Sequence, residues 1–326
     1  MIGTVPERAW CGGRRGGEWY PMRARERAIP GCVLPSRTVT PRSEVPATFK
    51  SSAMRPGPIA LIRIGIAETF SRRRLIAYLV RADLKKSGTD TLLGNVWWII
   101  DPLLQMMIYY VLVGLILHRG GPDYPLFIIS AILPWKWFDS TIRDGIFSVV
   151  SQERLIKQIY FPKLVLPFAA SVSGMVAFAF GLIPLLALEI FAYPQHLTAW
   201  ILLIPVVAAV QFLFTIGIAV ALGAINVFYR DIGNLSRHAL RFWFYLSPAL
   251  YGIAEVDKLA SEHRSVAIWF AINPWTHLFA SYRAVIYDGT APDWGGLAVV
   301  AFVSLFIIAF GILLFKRVEP SFAKVL

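Results

Sequence analysis

Asp139, Arg143 and Asp144 stand in a stretch that is otherwise largely apolar from Pro125 to Val150, with Lys136 three residues before Asp139. Asp139 and Arg143, four residues apart on a helix, can pair along one face. Another acid, Asp101, precedes Pro102 inside a second apolar run, where a proline frees a backbone carbonyl and kinks a helix. Two readings suit charges in such surroundings: mutual neutralisation within a low-dielectric region, or the lining of a hydrated pathway. Group-transfer chemistry has little to work with. The chain contains no G-x-x-x-x-G-K-[ST] and no Gly-Lys dipeptide at all, so it has no P-loop with which to cradle ATP phosphates. H-E-x-x-H, G-x-S-x-G and D-x-D acid pairs are also missing, and the five histidines are scattered. Cys11 and Cys32 make no metal-ligand spacing with them. No catalytic residue, metal ligand or bound cofactor is expected.

The elements that must carry these charges are apolar helices. The 326 residues are 56% hydrophobic, above the ~45–50% of soluble domains. A spanning helix needs roughly 20 mostly apolar residues to cross about 30 Å of hydrocarbon. Leu92 to Leu117, Val165 to Ala192, Trp200 to Phe228 and Leu297 to Phe315 meet that need. Pro125 to Val150 is long enough but charged, so it should sit against protein or a polar lumen. Phe242 to Ile253 covers only about 18 Å at 1.5 Å per residue. It should extend back towards His238 and kink at Pro248. Val266 to Ile286, broken at Asn273-Pro274, suits short re-entrant helices, which need burial in protein or a cavity. The expected fold is an all-α integral membrane protein of six transmembrane helices. Residues 1–55 read as a disordered basic tail, 56–91 as an amphipathic interfacial segment and 92–326 as the six-helix domain. For the tail, which lacks the apolar core of a signal peptide, two readings stand: an over-extended gene start with translation beginning near Met54, or a basic arm on lipid headgroups.

The net charge of +12 has two explanations, a nucleic-acid surface or basic residues held on one side of a membrane. Position favours the membrane. Basic residues gather before Leu92, at 151–163, at 229–241 and after Phe315, whereas 118–124 holds only Arg119 and 193–199 holds none. By the positive-inside rule both termini are cytoplasmic, which requires the short fifth segment to cross. The expected location is the cytoplasmic (inner) membrane, with no nucleic-acid partner.

Two segments outside the spans are amphipathic. In 59–86, Leu75, Ile76, Leu79, Val80 and Leu84 fall on one helical face, with Arg72, Arg73, Arg74 and Arg81 around the rest. This suits a helix in the headgroup region, either a plain anchor or a docking surface for a cytosolic partner. In 151–161, Leu155, Ile156, Ile159 and Tyr160 share a face while Glu153, Arg154 and Lys157 point elsewhere, and Pro162 limits the helix. An apolar ridge with flanking charges fits a groove on another protein or a bare interfacial helix. Trp97, Trp98, Tyr109, Tyr110 and Tyr245 belong to aromatic clusters at span ends. They serve as an interfacial belt or as stacking faces for sugars in a passage.

Taken in order, the motifs resemble the type-2 ABC exporter permeases that export polysaccharides. The resemblance covers about residues 59–326. It starts at Arg81-Ala82-Asp83-Leu84-Lys85-Lys86 and Leu93-Gly94, continues through Trp97-Trp98 and Asp101-Pro102-Leu103-Leu104, then Phe161-Pro162-Lys163 and Tyr229-Arg230-Asp231-Ile232. It ends with Tyr245-Leu246-Ser247-Pro248, Asn273-Pro274 and Tyr282-Arg283. The tail has no counterpart in that pattern. The resemblance implies a homodimer, each copy docking a separate ATPase subunit, which binds ATP and Mg, through a coupling helix at 151–161 (Glu153, Arg154, Leu155, Lys157, Tyr160), with the N-terminal helix assisting. It also implies a pore between the first and fifth spans of the two copies, an outer gate shaped by short helices within 255–290, and a lipid-linked polysaccharide such as O-antigen, capsule or a teichoic-type polymer as substrate. Trp97, Trp98, Tyr109, Tyr110 and Tyr245 are the channel-lining candidates. Two alternatives remain: a drug or small-lipid exporter of the same architecture, and a membrane-embedded enzyme or assembly protein without an ATPase.

Overall fold

The computed structural model describes residues 56–89, 91–118, 121, 123–159, 161–252, 261 and 263–325. The expected tail, with Cys11 and Cys32, lies outside them, as do Tyr160 of the expected coupling helix, Ile253 at the end of the expected fifth span and 255–260 at the start of the expected gate-shaping stretch. Every regular element among the described residues is helical. The single amphipathic run expected over 59–86 divides at Arg72 into α1 (Pro58–Ser71) and α2 (Arg73–Gly88). Then come α3 (Trp97–Tyr109), which continues as a π-helix over Tyr110–Ile116, and α4 (Tyr124–Ser148). The short α5 (Glu153–Gln158) leads to α6 (Val165–Ala192), α7 (Ile204–Asn226) and α8 (Ile232–Leu246). A broken pair, α9 (Arg264–Ile272) and α10 (Pro274–Ile286), precedes the long α11 (Trp294–Val318) and a last turn, α12 (Phe322–Val325).

Four helical stretches are long and apolar enough to cross a membrane: Gly94–Ile116, Val165–Ala192, Ala199–Asn226 and Trp294–Ser321. The charged α4 has the length, and its charged side chains are the ones its neighbours leave uncovered: Lys136 and Asp139 are half-buried, Arg143 and Asp144 exposed. Sixteen of its 25 residues are buried, against 11% of the most apolar window of Gly94–Ile116. The least apolar long helix is therefore the centre of the bundle, packed by α6, α7, α3, α8 and α10. The most apolar helices stand outside it with large side chains exposed, such as Phe302 and Phe306 on α11. Lipid makes that inversion favourable, since apolar surface facing acyl chains needs no burial.

Apolar burial does little to draw helices together in a bilayer, so close backbone contact has to do it. On α4, Gly145 lies against α7 so tightly that a Cβ there would sit 2.7 Å from the Cβ of Ala219. A Cβ on Gly223 would sit 2.8 Å from the Gly145 carbonyl oxygen. Buried amides reinforce the seam: Gln211 Nε2 donates to Pro134 O at 2.8 Å and Asn226 Nδ2 to Ile146 O at 3.0 Å.

The structure departs from expectation at α8. The helix ends at Leu246, before Pro248, instead of kinking through it. The residue before a proline is pushed out of the α region, and Ser247 is extended, with ψ 152°. Asn273 divides the pair α9–α10, its side-chain oxygen accepting from the Trp275 N–H at 3.2 Å as the N-cap of α10.

Candidate functional site

Three places gather the polar side chains that an all-apolar bundle would not need. The first is the end of the bundle around α5. Glu153 and Lys157 pair at 2.6 Å one turn apart, and Lys157 holds the Glu153 carboxyl below its ordinary range. Arg154 and Ile159 are exposed. The expected apolar ridge is only partly free, however. Ile156 is buried and Leu155 half-buried in a cluster with Val149, Phe161 and Leu164, so part of the ridge anchors α5 to its own bundle. Behind α5, Glu319 accepts from the Lys163 backbone N–H at 2.7 Å and from Lys316 at 2.8 Å, and Lys316 also reaches Glu68 of α1 at 2.5 Å. One half-buried lysine thus ties α1 to Glu319 at the end of α11, and Glu319 in turn holds the loop after α5. Arg72, Arg73, Arg74 and Arg81 are exposed, while Leu75, Ile76 and Leu79 turn inward and Val80 is buried.

The second place is an open groove of about 810 Å³ between α2, α3, α4 and α6. Lys136 of α4 pairs with Asp101 of α3, and Arg143 with Asp139 at 2.6 Å. Asp83 of α2 accepts from Ser173 at 3.3 Å, and burial raises its carboxyl above the ordinary value. Trp97 and Trp98 enter the same groove, Trp98 tilted against Phe180 at 5.6 Å and Trp137 stacked on Phe178 at 4.6 Å.

The third place is the break after α8, where the chain lacks helical hydrogen bonds. Arg283 of α10, 4% exposed, donates to Pro248 O at 2.6 Å, Ala249 O at 2.6 Å and Tyr251 O at 3.2 Å, and stands 3.8 Å over the Phe127 ring. Asn273 donates to Ser247 Oγ at 2.8 Å and accepts from Trp243 Nε1 at 3.0 Å. Tyr124 OH donates to Leu250 O at 3.1 Å. Nearby, the hydroxyls of Tyr109 and Tyr245 meet at 3.4 Å.

No protein-family model matches the chain. Among curated proteins, the O-antigen export system permease protein RfbA of Myxococcus xanthus is 30% identical over 264 residues, covering 81% of this chain and 99% of that protein. The chain belongs to the family of type-2 ABC exporter permeases. An RfbA of Klebsiella pneumoniae is 27% identical over 253 residues, 77% of this chain and 95% of that one. The polysialic acid transport protein KpsM of Escherichia coli is 19% identical over 239 residues, 70% and 87% respectively.

Within the permease, the five channel candidates separate. Trp97 and Trp98 belong to the groove, Tyr109 and Tyr245 meet each other, and Tyr110 packs near Tyr124 and Ile128. Arg283 and Asn273, which the sequence shows only as parts of motifs, hold the permease's non-helical segment after α8. A cation inside an apolar stretch was the available signal for Arg283. Its partners, 32 to 35 residues away, could not be read from spacing.

Proposed function

We propose that this permease is the membrane half of an ATP-driven exporter that passes a polysaccharide, in lipid-linked form, across the cytoplasmic membrane. The observation that carries the reading is the match to an O-antigen export permease along 99% of that protein's length. The chain acts as a homodimer and hydrolyses no ATP itself; a separate ATP-binding cassette subunit binds ATP and Mg. Six helices cross the bilayer, the four apolar ones together with α4 and α8. α4 reaches about 37 Å at 1.5 Å per residue. α8 falls short, and the segment after it completes the crossing, its carbonyls satisfied by Arg283 as irregular backbone at membrane depth requires. Both termini and α5 face the cytoplasm, where α1 and α2 lie along the headgroups. Tyr109 and Tyr245 line the passage between the first and fifth spans of the two copies, and α9–α10 shape its outer end.

α5 is the coupling element: Glu153, Arg154, Lys157 and the free part of the ridge engage the ATPase, with Tyr160 following them. ATP-driven closure of the two ATPase subunits moves α5, and the spans shift as semi-rigid bodies. The lysine junction of Glu68, Lys316 and Glu319 supports this reading, because a chain of part-buried hydrogen bonds runs from the Lys163 N–H through Glu319 and Lys316 of α11 to Glu68 of α1. Charge reversal of Glu153→Arg with Arg154→Glu is expected to uncouple ATP hydrolysis from export by at least about tenfold at unchanged membrane abundance. Normal export by that double variant would refute the coupling role. Co-purification tests the partner: a stoichiometric P-loop protein is expected, and its consistent absence would favour an assembly protein instead.

A further inference from the structure

We infer that the groove between α2, α3, α4 and α6 is a carbohydrate seat, holding sugar residues of the exported glycan at a place separate from the passage between the two copies. The inference rests on the polysaccharide reading above and adds where, and by what chemistry, this chain contacts the polymer. Size comes first: about 810 Å³ falls within the ~300–1,000 Å³ of small-ligand sites.

Charge comes next. The lining carries three cations, Lys86, Lys136 and Arg143, and three carboxylates, Asp83, Asp101 and Asp144. A phosphate seat would carry an excess of cation. A balanced set of donors and acceptors instead suits a neutral, hydroxyl-rich ligand, whose hydroxyls donate to carboxylates and accept from ammonium and guanidinium groups. Exposure makes the case stronger. The Asp101 side chain is 60% exposed and that of Arg143 45%, on helices flanked by lipid-length apolar helices. Acyl chains cannot solvate what the ion pairs with Lys136 and Asp139 leave uncovered, so a polar occupant or water must face it.

The walls supply the rest. Trp97, 45% exposed, offers a flat apolar face of the kind that packs on sugar C–H surfaces. Trp137, 3% exposed, stacks on Phe178 at 4.6 Å and adds another indole to the groove wall. A phospholipid headgroup and a second copy of this chain are the competing occupants, and both are outcomes of the test.

The test is site-specific photocrosslinking in cells making the polymer, with the full chain and its ATPase. A photoreactive phenylalanine analogue replaces Ser140 or Ala177 in the groove, Tyr245 in the proposed passage, or Phe302 on the exposed face of α11. Glycan-bearing adducts are expected at Ser140, Ala177 and Tyr245 and not at Phe302. In the same strain, Trp97→Ala should cut the Ser140 glycan adduct at least about threefold, as loss of a ring-stacking contact would, while Trp97→Phe retains most of it. Glycan adducts at Tyr245 with none in the groove would overturn the seat and leave the permease reading standing. Groove adducts only to phospholipid, or only to a second copy of the chain, would also overturn it. Glycan at none of the four positions would contradict both readings.

Discussion

Arg283 and Glu189 are both buried charged residues among apolar helices, and their surroundings give opposite expectations. Arg283 donates to three carbonyls of a segment that no helix satisfies. Removing a buried partner leaves each acceptor with its full desolvation penalty, about 1–3 kcal/mol. Arg283→Met is therefore expected to lower the thermal midpoint of the purified protein markedly. Arg283→Lys should recover only part of it, because an ammonium cannot reproduce the planar fork. Glu189 of α6 is fully buried, and both carboxylate oxygens lack a partner among the described residues. Glu189→Gln removes an expensive group and should leave the midpoint unchanged or higher. Thermal unfolding followed by intrinsic fluorescence checks all three. At this scale the sequence was partly legible. The Asp139–Arg143 pair follows from a four-residue spacing and is present. The Asp101–Lys136 pair joins residues 35 apart on two helices, which no local pattern encodes.

Among the elements, α4 and α8 gave the sequence most trouble, and for different reasons. Charges in α4 correctly implied protein neighbours, and it proved to be the central helix. Which helices surround it depends on glycine contacts that periodicity does not reveal. Gly223→Val should force α7 off α4, since even a Cβ there would press on the Gly145 carbonyl. Overpacking of this kind costs about 1–3 kcal/mol, so less of the variant should run as a monodisperse peak after detergent extraction, whereas Gly57→Ala, with open space around it, should match the parent. Pro248 was expected to kink α8, but the helix ends two residues before it with Ser247 extended, whereas α3, α4 and α6 run on through Pro102, Pro134 and Pro184. Of the ridge expected over 151–161, only Leu155 and Ile156 lie on α5, which ends at Gln158 with Ile159 extended. Amphipathic spacing tells which side chains align, not which of them the bundle itself will cover, and Ile156 is covered.

Across the whole molecule, the ordered blocks of hydropathy were the legible part, and the long apolar helices agree with them. Four stretches stand out by length and apolarity; the two further crossings of the proposed topology depend on α4 lying inside the bundle and on the Arg283-clamped segment after α8. Single-cysteine labelling tests that topology: with Cys11 and Cys32 replaced, a cysteine at Arg154 should react with an impermeant maleimide only from the cytoplasmic face. The groove and the lysine junction were illegible, since each arises from helices distant in sequence. This chain is proposed to move a polysaccharide across the membrane, driven by a partner ATPase. The direct measurement is surface polymer in cells from which the chain is removed and then restored. Polymer should accumulate inside without the chain and return to the surface on its restoration, but not when the P-loop lysine of the co-purifying ATPase is replaced. Surface polymer at normal levels in cells lacking the chain would contradict the claim.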